Sequence, residues 1–416
     1  MPWRTVLGFE IHVELGTNSK MFCACPADHF GKAPNTQVCP VCLGLPGALP
    51  IPNKQAIEWC IKLGLALNCE INLKSKFDRK NYFYPDLPKG YQISQYDQPF
   101  CHDGELLGHK ITRVHLEEDT GKLQHQGQET WIDFNRSGVP LVEIVTEPDF
   151  TDTSESDEFL KEIQAIVRTL GISTADMEKG SMRLEANISV GSADSTNLPN
   201  YRVEVKNVNS FKFIKKAVDF EVARQIKHLE AGETLVQETR GFKEATGETV
   251  SQRGKEEAHD YRYFLEPDIP PFEFISSQIG QWRNELPELP AQIRECLTRT
   301  YHLESRTSSL IVASPARLKR FMELIKDNDP KRVAKLLINL SEDQVSDASI
   351  HDTSIISDEN QIRAVAEKVI AAHPKAVSDY KSGKQQTLFF LIGQVKKQLR
   401  EVDVALTQKI VREIIA

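Results

Sequence analysis

The fold is decided by Leu7-Gly8-Phe9-Glu10-Ile11-His12-Val13-Glu14-Leu15, a stretch in which apolar and polar side chains alternate. Side chains on a β-strand alternate between two faces. The stretch therefore predicts a strand with one apolar face and one face of carboxylates and imidazole. Residues 182–190 and 202–206 show the same alternation. Together, the three segments indicate a sheet that is packed on one side only.

The polar face of these three segments is rich in acid. Its ionisable residues are Glu10, His12, Glu14, Arg183, Glu185, Arg202, Glu204 and Lys206. A pocket lined by carboxylates repels an anionic substrate unless cations bridge the two, so the pattern favours divalent metal with phosphate over a solvated sheet face. His12 is an unusual ligand for a hard cation, and the alternative is that it forms hydrogen bonds beside the site.

Length and composition are those of an ordinary soluble globular protein. The 416 residues predict two or three domains, and 40% hydrophobic with 26% charged residues is typical. No apolar run approaches the roughly 20 residues that a membrane-spanning helix needs. A strand pattern that begins near Thr5 leaves no space for a signal peptide. We therefore expect a cytoplasmic protein of a bacterium or, as the alternative, a protein of an organelle.

The charge distribution separates the last segment from the rest. A net charge of -8 argues against broad, non-specific binding of nucleic acid, which needs a positive field. Residues 361–416, however, carry ten Lys or Arg against five Asp or Glu. This segment could present a local basic surface to a nucleic acid, or it could be a helical domain with a solvated basic face.

Four of the eight cysteines form two close pairs near the N-terminus: Cys23, Cys25, Cys39 and Cys42. Two thiolate pairs at this spacing are typical of a structural zinc site. Disulfides are the alternative, but cytosolic thiols stay reduced. Because cysteine fills every ligand position, the site would have no open position for catalysis. We expect the other four cysteines to be buried as small apolar residues: Cys60, Cys69, Cys101 and Cys296.

The arrangement of predicted elements indicates an α+β fold with a mostly antiparallel sheet. Residues 1–290 mix short strands with helices over 54–67, 152–170 and 214–229, without strict βαβ alternation. The proline-rich residues 286–290 predict a linker. Helical patterns follow over 310–325 and 333–340, and Ser357 is a candidate cap for the first helix of a compact tail. We expect three domains, at 1–290, 291–350 and 357–416.

Three dense polar loops are candidates for the chemistry. Residues 78–92 contain Arg79, Lys80 and Lys89, residues 115–122 contain Glu118, and residues 252–264 contain Arg253 and Arg262. Arginine and lysine in such loops can clamp phosphate oxygens, although well-packed surface loops and solvated turns remain the alternatives. The chain has no glycine-rich phosphate loop, no Rossmann glycine fingerprint and no Gly-x-Ser-x-Gly elbow. A bound nucleotide would therefore lie on the sheet with metal ions.

Taken together, the motifs resemble one family, the B subunits of the tRNA-dependent amidotransferases that make Gln-tRNA and Asn-tRNA indirectly. The matching segments are residues 8–15, 80–86, 91–95, 115–119, 141–149, 206–211 and 259–264. The resemblance extends from residue 5 to the tail. It implies a cradle domain over 1–290, related in fold to glutamine synthetase, then a helical domain and a tail that grips the tRNA elbow.

The resemblance also implies a reaction. ATP would phosphorylate the side-chain carboxylate of Glu or Asp already esterified to tRNA, and ammonia released by a glutaminase, the A subunit of such enzymes, would displace the phosphate. A small C subunit is the expected third partner. The implied Mg²⁺ ligands are Glu10, His12, Glu118, Glu185 and Glu204. Lys89 matches a residue at the mouth of the ammonia channel. We add Arg183 and Lys206 to the catalytic set, and Arg79, Lys80, Arg253 and Arg262 as candidate ligands of ATP.

Two departures and two alternatives accompany this interpretation. Family members often have Asp at the position of Glu185, so the charge is kept here but the side chain of this implied ligand is one methylene longer. Residues 291–350 are shorter than the helical domain of relatives, which predicts a shorter connection between the cradle and the tail and a tail placed differently on the tRNA.

The alternatives are an ATP-dependent amidoligase acting on a free amino acid and a non-catalytic tRNA-binding assembly protein. The sequence does not decide between Glu-tRNA and Asp-tRNA as the substrate.

Overall fold

The computed structural model of this chain describes residues 3–253, 261–340, 342–345, 350, 359–382, 384, 386–399, 402 and 404–415. Contacts divide the chain into two units, Met1–Pro290 and Ala291–Ala416. Among the described residues, no helix combines the length and the apolar composition that crossing a membrane requires. The candidate cap Ser357 and residues 254–260 of the third polar loop lie outside the described residues.

Strands are confined to the first unit as far as the chain is described. They are β1 (Trp3–Glu14), β2 (Glu70–Ile71), β3 (Lys74–Ser75), β4 (Asp78–Asn81), β5 (Tyr91–Ser94), β6 (Cys101–Leu106), β7 (His109–Glu118), β8 (Lys122–Gln126), β9 (Glu129–Asp133), β10 (Pro140–Thr146), β11 (Met182–Ser192), β12 (Val203–Val208), β13 (Glu238–Lys243), β14 (Glu248–Arg253), β15 (Phe264–Leu265) and β16 (Phe272–Glu273). The helices are α1 (Lys54–Ala66), α2 (Thr153–Thr169), α3 (Phe211–Glu230), α4 (Ser276–Asn284), α5 (Pro290–Tyr301), α6 (Ser305–Val312), α7 (Pro315–Leu324), α8 (Pro330–Asn339), α9 (Glu359–Ala372), α10 (Pro374–Lys381), α11 (Gln386–Gln398) and α12 (Val404–Ile415).

A nine-stranded sheet forms the framework of the first unit. Its strand order is β14-β13-β12-β11-β1-β10-β7-β6-β2. Every neighbouring pair is antiparallel except β12 and β13, which are parallel. Small sheets of β15-β4-β5, β16-β3 and β8-β9 accompany it. The prediction of an α+β fold with a mostly antiparallel sheet is confirmed.

One face of the sheet is covered by helices. The apolar residues of β1, among them Phe9, Ile11 and Val13, are at most 1% exposed. They belong to one hydrophobic core with residues of α1, α2 and α3, and the ring of Phe9 meets that of Phe150 edge to face at 5.1 Å. The predicted division of β1 into an apolar and a polar face is confirmed. The polar side chains of the central strands are consequently left on the opposite face.

The three predicted helices of the first unit are present, and polar caps define their starts. The side chain of Asn53 accepts from two backbone N–H groups of the first turn of α1, and Asp152 does the same for α2. Each cap satisfies donors that otherwise have no partner within the helix. α3 begins three residues earlier than predicted because Ser210 accepts from the backbone N–H of Phe213.

The second unit contains two hydrophobic cores. One is built by α5 to α8 and reaches from Leu297 to Ile350; the other is built by the tail helices and reaches from Ile362 to Ile415. The predicted helix over 310–325 is interrupted, because Ser314 caps α7 and Pro315 cannot donate to a continuing helix. The division into a helical domain and a tail stays a prediction, as does the binding of tRNA by the tail.

The burial of the scattered cysteines is only partly as predicted. Cys60, Cys69 and Cys101 are buried, but Cys296 is exposed, so that prediction is wrong for Cys296. Ile293 and Leu297 in α5 contribute to the core. They are spaced four residues apart, and Cys296 lies beside this stripe, on the side of the amphipathic helix that faces solvent.

Close packing between α1 and β6 gives a stability prediction. A Cβ atom on Gly64 would lie 2.7 Å from the Cβ of Cys101 and closer still to its sulfur. We expect Gly64→Ala to destabilise the first unit by about 1–3 kcal/mol through overpacking, measured by chemical denaturation of the full chain. The matched control is Gly280→Ala in α4, where an added Cβ meets nothing within 4 Å and should be neutral or stabilising by up to about 1 kcal/mol. Equal stability of the two variants would contradict this packing.

Candidate active site

Three glutamates from neighbouring strands meet on the polar face of the sheet, opposite the helices. Glu10 of β1 lies directly opposite Glu185 of β11, and Glu204 of β12 follows on the next strand. One carboxylate oxygen from each lies within 4.8 Å of the other two. We call Glu10, Glu185 and Glu204 the three-glutamate cluster. Carboxylate oxygens at this spacing are the ligands that hard divalent cations prefer.

A lysine and a threonine partly compensate the charge of the three-glutamate cluster. The Nζ of Lys206 lies 3.1 Å from Glu185 Oε2 and 3.3 Å from Glu204 Oε1. Burial alone would lower the pKa of Lys206, but the attraction of these two carboxylates outweighs it and raises the pKa. The hydroxyl of Thr239 donates to Glu204 at 2.9 Å. One lysine leaves net negative charge on three carboxylates, which favours a bound cation.

A buried acceptor oxygen beside the cluster indicates whether these residues could bind a cation. Asn187 Nδ2 donates to Glu10 Oε1 at 2.9 Å. Its Oδ1 is buried, and no described residue donates a hydrogen bond to it. Buried acceptors are almost always satisfied in native proteins. A hard cation that takes carboxylate oxygens also takes a carboxamide oxygen, so the donor set fits Mg²⁺.

A second cluster lies along the same face, toward β10 and β7. His12 Nε2 lies 3.5 Å from Glu143 Oε2, and His115 Nε2 lies 3.3 Å from the same oxygen. Ligand atoms of His12, Glu117 and Glu143 are all within 4.8 Å of one another. We call His12, Glu117 and Glu143 the histidine–glutamate cluster. Glu117 is 3% exposed and Glu143 is 6% exposed, so both carboxylates are held out of bulk water.

The histidine–glutamate cluster holds strongly interacting charges. Burial alone would lower the pKa of His12, but the attraction of Glu143, its hydrogen bond and the nearby Glu185 and Glu117 raise that pKa to about 9. Burial would raise the pKa of Glu143, yet His115 and His12 bring it well below its ordinary value. The pKa of Lys80 is raised because Glu117 and other anionic neighbours outweigh its burial.

Glu118 does not join either cluster. Glu117 and Glu118 are consecutive on β7, so their side chains point to opposite faces of the sheet. Glu118 instead accepts from the Nζ of Lys89 and, at 3.0 Å, from the backbone N–H of Ile93. Of the five predicted Mg²⁺ ligands, the structure brings Glu10, Glu185 and Glu204 together and places His12 in the neighbouring cluster.

Sequence reasoning missed three residues that the structure places at the site: His115, Glu117 and Glu143. A usable signal was present for all of them. His115 and Glu117 alternate with Val114 and Leu116 in the same way that His12 alternates with its apolar neighbours. Strict application of the period of two would have placed Glu117, rather than Glu118, on the polar face. Glu143 is the one charged residue in strand β10.

The four paired cysteines lie together and could bind a structural metal. One sulfur from each of Cys23, Cys25, Cys39 and Cys42 lies within 4.8 Å of the others. A hydrogen bond from Cys23 contributes most to lowering the pKa of Cys42, to about 5, whereas burial raises the pKa of Cys25 to about 11. Gly44, with φ of +64°, follows these ligands, and a Cβ there would lie 3.1 Å from the Cα of Lys89. The cysteine loop therefore packs directly against Lys89.

Two further predicted residues, Arg183 and Arg79, form ion pairs with carboxylates. Arg183 donates to Asp119 at 2.7 Å. Arg79 makes two hydrogen bonds with Glu266, at 2.7 and 2.9 Å, and lies 4.3 Å from the ring centroid of Tyr91. Its guanidinium thus connects β4 to the segment after β15.

The other two candidate phosphate ligands flank residues outside the described part of the chain. The carbonyl of Arg262 accepts from Asn81 Nδ2 at 2.8 Å. Arg253 ends β14, but its side chain lies outside the described residues. The structure therefore leaves the role of both as a prediction.

Comparison with known proteins identifies the class to which this fold and site belong. Residues 5–280 match the family model described as the GatB/GatE catalytic domain, and residues 289–415 match the GatB domain. The two matches together span nearly the whole chain. This chain belongs to the GatB/GatE family.

Similar curated proteins are the B subunits of aspartyl/glutamyl-tRNA(Asn/Gln) amidotransferases. The protein of Thermotoga petrophila is 41% identical over 480 positions, covering 100% of this chain and 99% of the relative. That of Caldanaerobacter subterraneus subsp. tengcongensis is 42% identical over 474 positions, with 99% of each chain covered. That of Persephonella marina is 39% identical over 475 positions, with 100% of each covered.

The lengths of these alignments show that the relatives have additional residues. The alignment with the Thermotoga petrophila protein spans 480 positions, whereas this chain has 416 residues. At least 64 positions of that relative therefore face no residue of this chain. This agrees with a shortened chain, while the location of the missing residues in the helical domain stays a prediction.

The raised pKa of His12 predicts a pH dependence in the metal-free chain. Its pKa is about 9 in the folded chain against an ordinary value of 6.5. The folded state therefore binds the proton more tightly, and this stabilisation is complete below pH 6.5 and lost as the pH rises through 9. We expect the difference in thermal midpoint between parent and His12→Gln, measured with chelator present, to be largest below pH 6.5 and to vanish above 9.

Glu143→Gln provides the control for this pH dependence. Removal of the Glu143 carboxylate should bring the pKa of His12, followed by NMR of the imidazole, back toward 6.5, because attraction to Glu143 is the largest cause that raises it. A difference between parent and His12→Gln that grows with rising pH would contradict the assignment.

Proposed function

We propose that this chain is the B subunit of an aspartyl/glutamyl-tRNA amidotransferase, a ligase that forms carbon–nitrogen bonds. The observation that carries the proposal is the convergence of acids from five adjacent strands on the polar face of one sheet, in a chain 39–42% identical to such subunits along its full length. The substrates would be Glu-tRNA(Gln), Asp-tRNA(Asn) or both, and the products the corresponding amides.

The reaction needs charge compensation rather than a nucleophilic residue. In the first step, a side-chain carboxylate oxygen of the substrate attacks the γ-phosphorus of ATP, which gives an acyl phosphate and ADP. In the second step, ammonia attacks the acyl carbon, phosphate leaves, and a proton is lost to form the amide. Both partners of the first step are anions, so catalysis depends on fixed positive charge. Lys206 and Lys80 supply such charge beside the two clusters.

We assign the two clusters to Mg²⁺. Glu10, Glu185 and Glu204 would hold one ion, and His12, Glu117 and Glu143 would hold a second. When bound, Mg²⁺ would neutralise the phosphates of ATP and the attacking carboxylate. Glu118 is assigned to the ion pair with Lys89, which we retain at the mouth of the ammonia channel. Arg183 stays in the proposed catalytic set, and Arg253 and Arg262 stay candidates for binding ATP, while the contacts of Arg79 favour a structural role.

The proposed reaction needs a source of ammonia, and the family relationship suggests the partners. Ammonia would come from a glutaminase, the A subunit, and the small C subunit would complete a cytoplasmic heterotrimer. The tail would bind the tRNA. Exposed residues of α11 support that assignment, because Phe389 and Phe390 lie on the same helix as Lys396 and Lys397. Aromatic and basic side chains together suit the bases and phosphates of RNA.

The proposed function predicts loss of activity on neutralising the three-glutamate cluster. We expect Glu204→Gln, assembled with its glutaminase and small partner subunits, to form Gln-tRNA(Gln) or Asn-tRNA(Asn) from glutamine and ATP about 100-fold more slowly or worse. Thr239→Val, which removes only the hydrogen bond to Glu204, should cost about 10-fold to 100-fold. The control Glu273→Gln alters an exposed carboxylate paired with Lys74 and should act like the parent.

The same assay separates the alternatives. With ammonia in place of glutamine, the chain should amidate Glu-tRNA(Gln) or Asp-tRNA(Asn) and leave free Glu and Asp unchanged. Amidation of a free amino acid would favour the amidoligase. Full activity of Glu204→Gln would favour a non-catalytic tRNA-binding protein with a partner that performs the chemistry.

We further propose that the metal of the four cysteines is Zn²⁺. Four thiolates in a reducing compartment are typical of structural zinc. We expect one zinc per chain by elemental analysis, and its loss together with a lower thermal midpoint in Cys42→Ser. The matched control is Cys296→Ser, since Cys296 is exposed and lies in the second unit. Retention of zinc by Cys42→Ser would argue against the assignment.

A further inference from the structure

The carboxamide of Asn187 contacts the three-glutamate cluster through Glu10. On β11 it lies opposite Glu204 of β12 and opposite Gly8 of β1. Its Nδ2 donates to Glu10 Oε1 at 2.9 Å. Asn187 therefore contacts the cluster directly. It is not among the site residues predicted from the sequence, which are all charged residues, histidine or cysteines.

The orientation of this carboxamide follows from its partner. An ionised Glu10 can only accept hydrogen bonds, and Asn187 can donate only through Nδ2. The flipped amide would set Oδ1 against a carboxylate oxygen, which is repulsive. Nδ2 must therefore face Glu10, and Oδ1 must be the atom that is left over.

That remaining Oδ1 has no donor of its own. It is buried, and no described residue hydrogen-bonds to it. The residue opposite Asn187 on β1 is Gly8, which has no side chain that could donate a hydrogen bond. The space at Gly8 is also tight, because a Cβ atom on it would lie 3.3 Å from the Cα of Pro148. Lys206 contacts Glu185 and Glu204 instead. The unpaired oxygen thus belongs to a carboxamide that is bonded to the three-glutamate cluster through Glu10, and one lysine only partly offsets the charge of that cluster.

We propose that Asn187 completes the cation site of the three-glutamate cluster, with Nδ2 holding Glu10 in place and Oδ1 serving as a neutral fourth oxygen ligand. This inference rests on the proposed Mg²⁺ at that cluster. A carboxamide oxygen adds a ligand without adding a fourth negative charge to the site. It also explains why an amide suits this position in the metal-free chain, since a carboxylate in its place would face Glu10 with like charge.

Binding of Mn²⁺ by the full chain, followed by electron paramagnetic resonance, tests the assignment without any activity measurement. We expect Asn187→Ala to weaken one class of Mn²⁺ sites about 10-fold to 100-fold. Asn187→Asp keeps an oxygen at this position and should bind Mn²⁺ at least as tightly as the parent, while its thermal midpoint in chelator falls. The control is Ser189→Ala on the same strand and face, two residues further along, which should bind like the parent.

A double-mutant cycle assigns the effect to this cluster. In a Glu204→Gln background, where the site is already impaired, Asn187→Ala should cause little further loss of Mn²⁺ affinity. Circular dichroism verifies that each variant is folded. Asn187→Ser replaces Asn187→Ala if the latter does not fold, and the same loss is expected because its side chain is too short to make both contacts.

Different failures point to different errors. Parent-like Mn²⁺ binding by Asn187→Ala, with weakened binding by Glu204→Gln, would overturn the role of Asn187 and leave the metal site intact. Equal losses in Asn187→Ala and Asn187→Asp would show that Asn187 only positions Glu10, which also overturns its role as a ligand. Parent-like binding by Glu204→Gln would instead remove the metal from the three-glutamate cluster, and with it part of the proposed function.

Discussion

Repulsion among carboxylates on one face of the sheet is the main constraint on the site, because other residues or bound ions must offset it. β1 carries Glu10, His12 and Glu14 in a row, and the neighbouring strands place Glu185 opposite Glu10 and Glu143 opposite His12. Like charges at such distances need cations or donors between them. Among the described residues, imidazoles neutralise much of the histidine–glutamate cluster, whereas Lys206 alone contacts the three-glutamate cluster as a cation. This imbalance makes the latter the stronger candidate for a divalent ion.

Buried polar contacts behind the sheet position the acidic face. Glu221 of α3 is fully buried and pairs with Arg224 and Arg240. Arg240 also donates to Thr249, which fixes β13 against β14. The residue before Arg240 is Thr239, whose hydroxyl donates to Glu204. Hydrogen bonds among structural residues thus help to position Glu204, a proposed metal ligand. Surrounding hydrogen bonds of this kind tune metal sites.

The family relationship and the geometry complement each other. Full-length similarity to amidotransferase B subunits indicates which reaction to expect, and the two clusters indicate where the charges of that reaction can be held. The second unit forms two separate hydrophobic cores, even though the chain is shorter than its relatives. Each helical segment of the second unit therefore buries its own set of apolar residues.

The sequence by itself determined the three alternating strands β1, β11 and β12, the three helices of the first unit and the grouping of four cysteines. These features depend on local periodicity and spacing, which are visible in one dimension. It did not determine which acids share a cation. The partners of Glu118 and Arg79, the cluster of Glu117 with Glu143, and the unpaired oxygen of Asn187 all depend on strand register and on residues distant in the chain. Only the tertiary structure decided them, because a shift of one residue in register exchanges the two faces of a strand.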